Sequence, residues 1–261
     1  MSDDKLRLGG MALPNGVLVH GPNSWACAVR ADGGELKVAA EYKTIRSNRI
    51  TKPFLRGPAR LAEALAVLPQ VKRALPEARL PMQSPKTLAT MLTAAVVTKQ
   101  LSDSERVRPL ARELLGGLLS LAPAVLALRG SDLAAYHGAE HISIGRYEHG
   151  DDAQKEHERC GGHLVGPLVA TTVLGNLLAG KAPVHLRTRA RAAAQLGAVA
   201  ASTEIFGWMT RHPDSGIAKA LSKPGHELQH RFSTAEPTAE QLEVAEAALA
   251  ACLELEDGAN R

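Results

Sequence analysis

The residues with the most chemical content stand in one stretch, AAYHGAEHISIGRYE (134–148), where His137, Glu140 and His141 have the spacing His-x-x-Glu-His. If 131–144 is a helix, entered at Ser131 or Asp132 and released at Gly145, the two histidines lie four apart. They then project from one face, about one turn from each other. Two imidazoles so placed can bind one divalent cation, with zinc the expected ion, and Glu140 can hold or deprotonate a water beside it. The plainer alternative is a pair of partly exposed helix histidines, with Glu140 in an ordinary surface ion pair.

The spacing is the reverse of the His-Glu-x-x-His zincin pattern and matches the inverzincin signature. A third ligand has to come from elsewhere in the chain, and two closures are available. In AAAQLGAVAASTEIFGWM (192–209) the lone acid is Glu204. A single carboxylate in an apolar helix is costly to bury unless it is paired or bound to a cation. Otherwise that helix turns Glu204 to solvent beside Thr203 or Arg211. The second closure is HERCGGH, which holds His157, Cys160 and His163. Thiolate and imidazole are natural zinc ligands, but the chain has no second cysteine pair with which to build a Cys-rich finger. This cluster therefore joins the helix histidines, orients them from behind, or is a tight Gly161-Gly162 turn with Cys160 as a small buried hydrophobe.

Weaker signals lie elsewhere. His226 and His230 have helical spacing, but KPGHELQHRFSTAEP (223–237) opens on Pro-Gly and reads as a loop. GGMALPNGVLVHGP (9–22) is glycine-rich, yet it neither follows a strand nor opens a helix, so a phosphate-binding loop fails on context. Tyr136 and Tyr147 flank the motif and read as packing residues.

Several elements must position these groups. GVLVH (16–20), WACAVRA (25–31) and ELKVAAEYKTI (35–45) are β-prone runs separated by GPNS and DGG, which are turn chemistry. KPFLRGP (52–58) closes this meander, and the periodicity then becomes helical, in 59–68, 86–101, 192–209 and a last helix. Start signals of the capping-box type occur at Ser102–Glu105 and at Thr238–Gln241. In the last helix Leu242, Ala245, Leu249 and Cys252 share one face, which makes Cys252 a core residue. EHGDDAQKEHER (148–159) reads as a surface loop between the two ligand clusters. The expected fold is α+β, mainly α: a small N-terminal antiparallel β meander (1–57) followed by a helical bundle (58–261) that carries the motif.

With 261 residues, 45% hydrophobic and 22% charged, the composition is that of a folded chain with a sizeable core. The +4 net charge is spread out and gives no strong nucleic-acid signal. A pI near 9.0 is all that motivates an RNA-associated module. Three widely spaced cysteines and the absence of an apolar leader after MSDDKLRLGG point to the cytoplasm. The uncharged runs 164–180 and 114–128 fall short of the roughly 20 residues of a spanning helix and contain proline and glycine. They are expected as buried core helices, with peripheral membrane contact as the alternative.

Five blocks taken together resemble the YqhQ-like family of uncharacterised bacterial proteins, described as predicted metal-dependent enzymes. They are GG-x-A-x(3)-GV-x(3)-GP near the start, RG-x(5)-EAL around 56–65, YHGAEH at 136–141, RCG at 159–161 and LQ-x-R-x-(S/T)-T-x-EP at 228–237. The resemblance covers most of the chain, and the YHGAEH block is its most specific part. It implies a metal site at His137, Glu140 and His141, with Cys160 and Gln229 as neighbours, and it supplies no substrate. Relatives tend to carry strongly apolar membrane-spanning segments. Here the corresponding regions are short and bear Arg112, Glu113 and Arg129, which makes this a soluble branch or a peripherally associated one.

The expected activity is hydrolysis by a zinc-activated water. His137 and His141 would be ligands, Glu140 the general base, and Glu204 or Cys160 the third ligand. The alternative is a non-enzymatic scaffold or membrane-associated assembly factor, in which His157 and Cys160 complete a structural zinc site. Four protein ligands would mark the scaffold; three and an open position would mark the enzyme.

Overall fold

A computed structural model describes residues 5–104, 106–150 and 152–259. Four antiparallel strands, β1 (Gly9–Leu13), β2 (Gly16–His20), β3 (Ser24–Arg30) and β4 (Leu36–Tyr42), pair in the order β1-β2-β3-β4. The helices are α1 (Arg56–Ala74), α2 (Pro85–Asp103), α3 (Pro109–Leu128), α4 (Asp132–His149), α5 (Val165–Ala179), α6 (Arg187–Arg211), α7 (Gly216–Leu228) and α8 (Ala239–Ala259). The architecture is α+β and mainly α, as the sequence patterning implies. The strand missing from that reading is β1, whose Gly9-Gly10 start masks its β character. It pairs in register with β2 from Gly9–His20 to Leu13–Gly16.

Period-two alternation gives the sheet two apolar faces, and each builds a core. Ala12, Val17, Val19, Ala26 and Ala28 pack with Leu133, Tyr136 and Ala139 of α4 and with Val244, Ala245, Ala248 and Cys252 of α8. Leu13, Leu18, Trp25, Cys27 and Val29 pack on Val67 and Val71, one turn apart on α1. The sheet is thus a middle layer, and Leu133, Tyr136 and Ala139 hold α4 against it. The start of α8 is fixed by the expected capping box: the Thr238 amide donates to Gln241 Oε1 (3.0 Å), and the Gln241 amide donates to Thr238 Oγ1 (3.2 Å).

Two buried acids tie the layers together. Lys43 pairs with Glu63 and also donates to the Gly21 carbonyl (2.6 Å), joining the end of β4 to α1. Glu256 of α8 accepts from the Asn23 and Ser24 amides and from Asn23 Nδ2 and Ser24 Oγ, all at the β2–β3 turn.

Some sequence expectations are corrected here. Helix α4 does not stop at Gly145 but runs on to His149 and ends at Gly150, whose φ of 108° is open to glycine. Gly145 is small because Ala153 packs against it. The segment 223–237 is not simply a loop: α7 continues through Pro224 and Gly225, and a π-helical turn, Gln229–Ser233, follows it. Ser102 sits inside the last turn of α2 and starts no helix; Glu105, the other half of that signal, lies outside the described residues. The runs 114–128 and 164–180 are helical but are not core helices. No residue of α3 is buried, Leu118 and Leu126 are each 59% exposed, and Leu174 and Leu178 of α5 are exposed as well. By length and composition, Pro109–Leu128 and Gly161–Ala179 are both apolar enough to cross a membrane.

Candidate metal centre

Helix α4 presents His137 and His141 on one face, with ring centroids 4.3 Å apart. One metal-binding atom from each, together with Cys160 Sγ, lies within 4.8 Å of the others. His137 Nε2 is 3.5 Å from Cys160 Sγ and 4.0 Å from the Glu140 carboxylate. Neither histidine is free to turn. His137 Nδ1 is 2.7 Å from the Ser233 carbonyl, and His141 Nδ1 is 2.5 Å from the Lys155 carbonyl. A carbonyl oxygen can only accept, so each Nδ1 carries the proton and each Nε2 keeps its lone pair. Locking the tautomer and the ring in this way is what an outer hydrogen bond does for a metal-ligating histidine.

Both anchors come from segments whose local structure serves this purpose. The π turn at Gln229–Ser233 brings the Ser233 carbonyl over His137, and π turns of this kind recur at functional sites. The hydrophilic stretch after α4 was expected as a surface loop. Apart from residue 151, outside the described residues, it instead folds back over the helix, with Lys155 and His157 largely covered. Gly138 lets the chain after the π turn lie close against α4, because a Cβ there would meet the Ala235 carbonyl. Fully buried Gln229 braces the arrangement: its Oε1 accepts from the His157 amide (2.9 Å), and its amide nitrogen is 3.0 Å from His163 Nε2. Cys160 caps the short helix Gly161–Leu164, its sulfur accepting from the Gly162 amide at 3.3 Å.

Glu140 and His141 are buried, not the surface pair of the plainer alternative. The Glu140 carboxylate points at β1, where a side chain on Gly10 would overlap it. Gly10 is therefore part of the site, in a position the glycine-rich reading of 9–22 missed. Burial pushes the Glu140 carboxyl up to about 8 and the Cys160 thiol up to about 12. Burial also holds His137 below its ordinary value and, joined by the neighbouring histidines, brings His141 down to about 2. Two acids driven toward their neutral forms beside two neutral imidazoles make a site short of positive charge. A dication meets that need, since it stabilises thiolate and carboxylate and takes neutral histidine. The donor set therefore fits a zinc ion.

The other residues named from the sequence lie elsewhere. Glu204 is not in the cluster: Arg56 binds its carboxylate through Nε (2.9 Å) and a terminal nitrogen (2.5 Å), and the Phe54 amide donates to it at 3.0 Å. His157 is at the edge, its ring 5.6 Å from that of His141, and its Nε2 is 3.2 Å from Glu148, which Arg159 also holds. Glu148, His149 and His157 form a second close group. His226 and His230 stack with centroids 6.3 Å apart, and His230 faces Glu156. Tyr136 and Tyr147 are packing residues, as expected.

Residues 129–255, which contain α4, Cys160 and the π turn, match the model of a family described as "Protein of unknown function (DUF1385)". No curated protein and no solved structure matches the chain.

Proposed function

We propose that the chain is a metal-dependent hydrolase in which His137, His141 and Cys160 hold a zinc ion and Glu140 is the general base. The observation that carries this reading is the anchoring of both imidazoles through Nδ1, which leaves both Nε2 lone pairs for a metal, with the His137 Nε2 3.5 Å from the Cys160 sulfur and a ligand atom of His141 within 4.8 Å of both residues. Zinc held there supplies Lewis acidity and makes a water more acidic. Glu140 takes a proton from the water as the oxygen adds to an ester or amide carbonyl. It returns that proton to the leaving alcohol or amine as the C–O or C–N bond breaks, giving a carboxylic acid as the other product.

Cys160 rather than Glu204 serves as third ligand, because Glu204 is taken by Arg56. With His157 turned to Glu148, the three protein ligands would leave a zinc ion a position for water, which favours a catalytic zinc over a saturated structural one. The scaffold alternative requires His157 as a fourth ligand. The YqhQ-like resemblance leads to the same residues of α4. The exposed leucines of α3 support a membrane-associated protein over one free in the cytoplasm.

Zinc-loaded parent and Glu140→Gln are to be compared on short p-nitrophenyl esters, with zinc content measured on the same samples. Loss of the general base lowers turnover by about 10² or more while zinc is retained. Equal turnover in the two proteins at equal zinc content rejects the reading.

A further inference from the structure

We infer that the substrate of this site is an amphiphile with an aliphatic chain: a fatty-acyl ester or amide whose carbonyl lies at His137, His141 and Cys160 and whose chain runs between α2 and α3. The inference rests on the hydrolytic reading and adds its substrate class.

The centre is one end of a cavity of about 690 Å³. That volume is within the range of small-molecule sites. The ionisable groups of its lining, His137, Glu140, His141, His157, Arg159 and Cys160, all come from α4 and the segment after it. The remainder is walled by Met11, Pro81, Met91, Pro123, Ala127 and Leu128. Two hydroxyls are found in the α2 and α3 walls, those of Thr87 and Ser120, and Ser120 donates to its own helix at the Gly117 carbonyl (2.6 Å). One polar end and one apolar arm is the shape of an acyl group.

The arm discriminates between apolar occupants. A peptide brings a donor and an acceptor with every residue, and buried groups of this kind need partners. The α2 and α3 walls offer almost none, whereas an alkyl chain asks for none. Met91 and Ala124 line the cavity and are also exposed, so the arm opens between α2 and α3. Those two helices carry the exposed Leu92, Val96, Leu114 and Leu118. An acyl chain leaving an apolar phase reaches the centre from that side without crossing water.

The test uses the zinc-loaded full chain and three probes, acetohydroxamate, octanohydroxamate and dodecanohydroxamate, with binding followed by calorimetry. Affinity should rise about fourfold per buried methylene. It should therefore rise more than 100-fold from acetyl to octanoyl. Ala127→Phe, which fills the arm, should flatten the series. If zinc and acetohydroxamate bind but affinity is the same at every chain length, the acyl-chain inference is overturned and the hydrolytic reading is not. Tighter binding of a dileucine hydroxamate than of octanohydroxamate overturns it in favour of an apolar peptide. If neither zinc nor acetohydroxamate binds, the hydrolytic reading fails and the inference falls with it.

Discussion

Replacing Gly10 by alanine probes whether β1 and α4 together place Glu140. An added Cβ meets three atoms of the Glu140 side chain, its Oε1, its Cδ and, at 2.6 Å, its Cγ. Ordinary Cβ contacts begin near 3.4 Å, so Glu140 or the strand has to retreat by about an ångström. Glu140 is buried, so the retreat is into packed structure, and overpacking of this kind costs about 1–3 kcal/mol. For a chain of this size that is a fall in Tm of about 2–12 °C. Gly33→Ala is the control, since nothing lies within 4 Å of a Cβ there. The decisive comparison is a double-mutant cycle in the metal-free protein. Glu140→Ala removes all three clashing atoms, so Gly10→Ala should cost little in that background, with a coupling of about 1–3 kcal/mol. Denaturant unfolding of the four proteins measures it. A Gly10→Ala cost equal to that of Gly33→Ala, or unchanged when Glu140 is absent, refutes this placement of Glu140.

Three further outcomes are expected. Burial raises the Glu256 carboxyl, but the four donors from Asn23 and Ser24 outweigh it and leave the pKa below its ordinary value. Its contribution to stability is therefore present above the unfolded pKa and is lost as pH falls through the folded one; Glu256→Gln should abolish that acid-side slope in denaturant unfolding. Lys43→Met leaves Glu63 buried without its cation and should cost about 3–5 kcal/mol, most of it recovered in Lys43→Met/Glu63→Met. Leu118→Glu and Leu126→Glu, at exposed positions of α3, should change stability by no more than about 0.5 kcal/mol. They should nevertheless release the protein from phosphatidylcholine vesicles in a flotation assay; a parent that does not float, or variants that float equally, would remove the membrane-associated reading.

How much of this was legible in the sequence differs from element to element. Strands β2–β4, the helical body and the cap at Thr238 carry their information locally, in alternation, turn residues and a side-chain pair three residues apart. Helix α4 and its two histidines were legible for the same reason, because helical spacing alone puts His137 and His141 on one face. What completes the centre is not local. The Ser233 and Lys155 carbonyls are backbone groups that every residue possesses, and only the π turn and the folded-back loop bring them to the rings. Gly10 shows no trace of its role, since the contact it permits is with a side chain 130 residues away. Glu204 illustrates the opposite error: a lone acid in an apolar helix did signal a partner, but the partner is Arg56, within the RG-x(5)-EAL block. The apolar run in α3 resembled a core helix because composition reports hydrophobicity and not what lies against it.

The central claim is that His137, His141 and Cys160, and neither Glu204 nor His157, hold one zinc ion. Zinc content by mass spectrometry on the reconstituted parent and on His137→Ala, His141→Ala, Cys160→Ala, His157→Ala, Glu204→Gln and Glu140→Gln tests it most directly. One zinc per chain is expected in the parent and in the last three variants, and none in the first three. A parent that takes up no zinc, or a folded Cys160→Ala variant that keeps it while His157→Ala loses it, would contradict it.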